Sequence, residues 1–139
     1  LLARALESGQ GVPANPAEAA TWWRRAAEAG EPSAQFEWAR RLEEGRGGQA
    51  SSGEAKTWYE RAAQQGVAAA MIALARLHAE GRAGPPDLQE AYVWCLLAQR
   101  IGEPAVRRHC EMLAAALPRL ARFHAVREAA ARARAWGLP

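Results

Sequence analysis

The sequence has little of several things that would announce a function outright. Only two of its 139 residues are cysteine, Cys95 and Cys110, which excludes a disulfide-dense mini-fold and leaves the redox compartment open. Long apolar runs are missing too. The longest uncharged one, from Val67 to Ala75, has nine residues, whereas a membrane-spanning helix takes about 20. No apolar segment follows a basic N-terminus, so no signal peptide is visible. The three histidines, His78, His109 and His124, keep no metal-ligand spacing. Ser8, Ser33, Ser51 and Ser52 stand outside any Gly-x-Ser-x-Gly elbow, and no phosphate-cradling Gly-x-x-x-x-Gly-Lys loop occurs. The adjacent Glu43 and Glu44 diverge on a helix rather than pairing. No catalytic constellation, metal site or cofactor site is left, and the chain reads as a non-enzyme.

What is present is apolar surface and arginine. Half of the residues are apolar and 24% are charged, which suits one folded domain of ordinary size. The net charge of +3 conceals an asymmetry. Residues 1–99 carry ten basic against twelve acidic side chains, a balance of −2, whereas residues 100–139 carry eight against three, a balance of +5. Such a basic C-terminal segment is either a solvated helix face or an attractor of acidic partners.

A repeat organises the rest. Trp22, Trp58 and Trp94 are 36 residues apart, as are Gly9, Gly45 and Gly81, and Gly30, Gly66 and Gly102. Ala19, Ala55 and Ala91 keep the same phase, and so do Ala26, Ala62 and Ala98. A period of this length is the mark of a stacked-hairpin array. Asn15, Ser51 and Asp87 are N-cap residues in one phase, each followed three residues later by Glu18, Glu54 or Glu90, the pattern of a capping box. Gly30, Gly66 and Gly102 suit left-handed helix stops, and Pro32 and Pro104 suit the first turn of the next helix. The spacing predicts helices over 1–8, 16–29, 32–44, 52–65, 68–80, 88–101, 104–117 and 119–136. No segment alternates with a two-residue period, so no strand is predicted. The expected fold is all-α: a right-handed α-α superhelix of about three 36-residue hairpins, with units at about 1–30, 31–66 and 67–102. A helix pair over 103–137 caps the last apolar face.

These residues resemble the Sel-one-like repeats, relatives of the tetratricopeptide repeats. The likeness lies in Gly9-Gln-Gly-Val12, in Glu18-Ala-Ala-Thr-Trp22-Trp-Arg-Arg-Ala-Ala-Glu-Ala-Gly30 and in Glu54-Ala-Lys-Thr-Trp58-Tyr-Glu-Arg-Ala-Ala-Gln-Gln-Gly66. A weaker copy is Glu90-Ala-Tyr-Val-Trp94-Cys-Leu-Leu-Ala98. The family's usual Leu-Gly-x-x-Tyr becomes Leu2-Ala3-x-x-Leu6, Trp38-Ala39-x-x-Leu42 and Leu74-Ala75-x-x-His78, and the second unit lacks the Gly-Val of its loop. Only local packing should change. The opening on Leu1, where the first helix starts four residues late against the family unit, reads as a piece of a longer chain. The resemblance implies an adaptor, scaffold or regulatory subunit that holds a protein or peptide in a concave groove. It favours a bacterial periplasm or cell envelope, with the cytoplasm left open.

In such solenoids the first helix of each hairpin lines that groove. The stripe on these helices gives the candidate partner-binding residues Glu37, Arg40, Arg41 and Glu44 in the second unit. The third contributes Arg76, Leu77 and Glu80, and the truncated first Arg4 and Ser8. Arg4, Arg40 and Arg76 form a ladder in one phase. They either face a ligand, where the guanidinium fork suits carboxylates, or pair with glutamates on their own helices. Trp22, Trp58 and Trp94 are expected in the core. Cys95 and Cys110 sum to 205, as facing residues should across a turn near 102–103. That leaves buried free thiols, the preferred reading, or a disulfide. The alternative function is binding of nucleic acid or an anionic surface through Arg107, Arg108, Arg119, Arg122, Arg132 and Arg134. The acidic balance of residues 1–99 argues against a continuous phosphate track. A spacer without a ligand of its own is the remaining reading.

Overall fold

The computed structural model describes residues 16–45 and 50–139. Among them are seven α-helices and one 3-10 turn: α1 (Pro16–Glu28), α2 (Pro32–Glu44), α3 (Ser52–Gln64), α4 (Ala68–Glu80), α5 (Leu88–Ile101), the 3-10 turn Pro104–Val106, α6 (Arg107–Ala116) and α7 (Arg119–Ala135). The expected helix over 1–8 lies outside the described residues, as do Asn15 and the glycine of the first loop. No strand occurs among the described residues. The chain forms two compact units that divide after Ala62.

The helix stops are set by glycines in the left-handed region. Gly30 has φ +96°. Its N–H donates to Ala27 O at 3.0 Å, and the N–H of Glu31 donates to Ala26 O at 3.2 Å. This two-bond arrangement satisfies carbonyls that the helix end would leave open. Gly102 repeats it with Gln99 and Ala98. At the helix starts only half of the expected capping box forms. Ser51 Oγ accepts from the N–H of Glu54 at 3.2 Å, and Asp87 Oδ1 accepts from that of Glu90 at 3.0 Å. The backbone N–H of each cap residue does not turn to its glutamate. It donates across the loop to the preceding helix, Ser51 to Leu42 O at 2.6 Å and Asp87 to His78 O at 2.9 Å.

In the first unit α1 and α2 pack as a hairpin. Trp23, Ala27 and Ala34 are buried at its centre, with Ala26, Trp38 and Trp58 packed against them. Tyr59 is buried beside this hairpin, 5.7 Å from the Phe36 ring between centroids, and its hydroxyl donates to Glu43 Oε1 at 2.8 Å. The tryptophan expectation needs correction here. Trp23 is buried, whereas Trp22 remains 38% exposed, because neighbouring residues on a helix point about 100° apart. Trp22 lies under the guanidinium of Arg25 (5.4 Å) and Trp58 under that of Arg61 (4.5 Å), cation–π pairs in the same repeat phase.

In the second unit Met71, Leu74 and Ala75 of α4 and Ala91, Trp94 and Cys95 of α5 are buried, and the two helices pack along their length. α7 lies on α5 through small side chains: Ala125, Ala129 and Ala133, four residues apart, are all buried. Beyond its end the Trp136 indole stacks on Trp94, with centroids 5.7 Å apart and planes 13° from parallel. The first turn of the predicted helix 104–117 is a 3-10 turn, capped by Glu103, whose carboxylate accepts from the N–H of Ala105 at 3.2 Å.

Candidate functional site

The candidate residues lie on α2 in the first unit and on α4 in the second. Arg40 is half-exposed and held from both sides on its own helix. Its Nη1 lies 3.3 Å from Glu37 Oε1 and its Nε 3.8 Å from Glu44 Oε1. The guanidinium also rests 6.0 Å from the Phe36 ring centroid. One helical turn towards either end supplies each carboxylate, the spacing at which helix side chains meet. Arg76 repeats the arrangement more simply, with Nη1 3.7 Å from Glu80 Oε1, a carboxylate that Arg82 approaches at 3.8 Å. Exposed pairs of this kind contribute little stability. Arg4 and Ser8 lie outside the described residues.

Two candidates do not belong to this surface. Arg41 and Leu77, which occupy the same repeat phase, are each only 1% exposed. The packed arc of these helices is wider than the sequence pattern suggests, running from Ala34 and Arg41 around to Ala39, so the edge of the predicted polar stripe falls inside it. Arg41 lies with its guanidinium carbon 5.5 Å from the centroid of the Trp23 ring, burying its methylene stem along the hairpin. Gln35 is a second buried polar side chain that the sequence pattern misses; its amide donates to Ala27 O at 3.3 Å.

The basic C-terminal segment also divides on inspection. Arg132, expected on the binding surface, is a structural residue. Its Nη1 and Nη2 grip Glu90 Oε1 and Oε2 at 2.5 and 3.1 Å, its Nε meets Glu128 Oε1 at 2.9 Å, and its guanidinium covers Trp94 at 5.3 Å. Burial would lower its pKa, but the hydrogen bonds and charges of Glu90 and Glu128 outweigh it, so the net direction is upward. Arg107 pairs with Glu111 at 3.4 Å. Arg108, Arg119, Arg122 and Arg134 are exposed, and so are Leu120, Phe123 and Val126 of α7. Cys95 and Cys110 are free buried thiols. Among the described residues no helix is long and apolar enough to cross a membrane.

A family model described as Sel1 repeat matches residues 1–31, 32–67 and 68–98. No curated protein matches the chain. Among solved structures, the chain is similar to a Sel1 repeat protein from Oxalobacter formigenes, with a TM-score of 0.76 and 30% identity over 80% of this chain. It is also similar in fold to a protective antigen of uropathogenic Escherichia coli that displays an SLR fold, with a TM-score of 0.75 and 20% identity over 97% of this chain. The chain spans 46% and 36% of those two chains, less than half of either.

Proposed function

Since the chain belongs to the Sel1 repeat family, whose members are in general protein–protein interaction modules rather than catalysts, we propose that it binds a protein or peptide through the polar stripe on the first helix of each repeat. Arg40 and Arg76 carry this reading. They stand 36 residues apart in one repeat phase, half-exposed, each oriented by a glutamate four residues on. An arginine pre-positioned in this way loses less freedom when it takes a carboxylate from a partner. Glu37, Glu44 and Glu80 orient the forks, and Arg4 and Ser8 continue the stripe by sequence phase. The partner is therefore one that presents carboxylates, and the chain acts as an adaptor or scaffold for it.

The test is affinity capture with the parent chain beside a variant in which Arg4, Arg40 and Arg76 are all changed to Glu, with helicity checked by circular dichroism. A partner held by the parent and lost by the equally helical variant is the expected result. Equal capture by both removes the stripe as the site. The exposed Leu120, Phe123 and Val126 beside Arg119, Arg122 and Arg134 favour a second reading, an anionic surface or nucleic acid bound by the C-terminal pair. Binding there should fall steeply with added salt.

A further inference from the structure

Cys95 and Cys110, the two cysteines of the chain, lie in the second unit, on α5 and α6. These helices pack against one another across the short connection through Pro104–Val106. Cys95 is fully buried and Cys110 is 4% exposed. The interaction of the two side chains is the largest influence on both groups. It pushes Cys95 far above the usual thiol range, with burial and the charge of Cys110 adding to it, and it draws Cys110 down against the opposing effect of burial. The Tyr92 phenol senses both sulfurs, and burial first, then Cys110, raises its pKa.

We propose that Cys95 and Cys110 are a two-electron redox site that closes to an intramolecular disulfide by exchange with a low-molecular-weight disulfide. The site lies apart from the polar stripe and needs no contribution from it. Cys110 is the attacking sulfur, being the more accessible of the two and the better source of thiolate. Its thiolate bonds to one sulfur of the small disulfide, whose S–S bond breaks, and the departing thiolate takes up the proton that Cys110 has lost. Cys95 then releases its proton and attacks Cys110 Sγ. The mixed S–S bond breaks, and the second small thiolate leaves with that proton. Two protein S–H bonds are replaced by one protein S–S bond, and the small disulfide is reduced to two thiols.

The second step is the favoured one, because the resolving sulfur is buried on the packed neighbouring helix and the reaction is intramolecular. The first step is slow. Leu113 is buried on the same helix as Cys110, and Val106 in the turn just before it, so attack requires α6 to open locally, and exchange proceeds over minutes to hours. Once closed, the bond staples α6 to α5 through a short loop. It raises stability through the lost freedom of the unfolded chain.

The experiment treats the full chain with oxidised glutathione and follows intact mass, free thiols and the melting temperature. Both thiols should disappear together, with the mass falling by two hydrogens and no lasting glutathione adduct. Melting should rise by on the order of 5 °C, and dithiothreitol should reverse every change. Cys95→Ser should trap a glutathione adduct on Cys110, since the resolving sulfur is gone. A lasting adduct on the parent, a disulfide-linked dimer, or two unreacted thiols after prolonged incubation would overturn the proposal. These readings on the parent decide the matter even if a cysteine variant folds poorly.

Discussion

Glycine and arginine show how differently single residues declare themselves. Gly81 stops α4 with φ +69°, and a Cβ there would meet Pro86 Cγ at 2.6 Å. Both the backbone conformation and the space therefore exclude a side chain. Gly81→Ala is expected to cost about 2 kcal/mol, from left-handed strain plus the displaced proline. Gly53 in the first turn of α3 has open space and no positive φ, so Gly53→Ala should raise stability by about 0.5 kcal/mol. Urea denaturation of both variants checks the pair, and losses of equal size would refute the distinction. The role of Gly81 was legible because its phase recurs at Gly9 and Gly45. Arg41 was not legible, since a pattern that sorts residues into polar and apolar places arginine outside. Its long methylene stem and the Trp23 face beneath it are what allow it inside. Arg132 misled for a related reason: its partner Glu90 is 42 residues away, a pairing that no local spacing reveals.

Helices were the most legible level. The bounds of α2, α4 and α5 match those predicted, and α1 and α3 each end one residue earlier, because glycine and cap residues act within one turn and need no tertiary information. The exceptions arise where tertiary contacts intervene. A capping box is a local motif, yet Ser51 and Asp87 send their backbone N–H groups to Leu42 and His78 on the previous helix. Glu54 and Glu90 are thereby released from the cap, and Glu90 is taken by Arg132. The side-chain half of the cap persists, so Asp87→Ala should cost about 1 kcal/mol, measured by thermal melting. Asp87→Ser should recover most of that loss. If the alanine variant melts with the parent, the hydrogen bond from Glu90 N–H contributes nothing.

At the scale of the molecule, the all-α architecture followed from the 36-residue period and the family from the resemblance of the motifs at Glu18–Gly30 and Glu54–Gly66, and the comparison with Sel1 repeat structures agrees. The C-terminal pair followed less directly. A final helix of irregular pattern was recognisable as a cap, but the means of docking were not: an alanine ladder, a bidentate arginine and a terminal tryptophan. Alanine carries no signal of its own in a chain this rich in it, and the Trp94–Trp136 stack joins residues 42 apart. Trp136 covers one face of Trp94 while Arg132 covers it at 5.3 Å. Trp136→Ala should therefore cost about 2 kcal/mol, below the range for removing a fully packed aromatic because Trp136 is only half-buried. The melting temperature and the near-ultraviolet dichroism of the stacked indoles would both report it. An unchanged dichroic band would mean that the stack does not persist in solution.

The backbone bond from Asp87 to His78 has a consequence for how such chains can vary. It closes the connection between α4 and α5 at its base, and residues 82–86 above it are largely exposed. Gly84, within that span, has open space around it. The two helices are held in register by the clasp below rather than by the length of chain above. Doubling such a span costs only about 0.6 kcal/mol in closure entropy. The segment is a splice point, at which foreign sequence can be carried outward on the hairpin without being felt at its core.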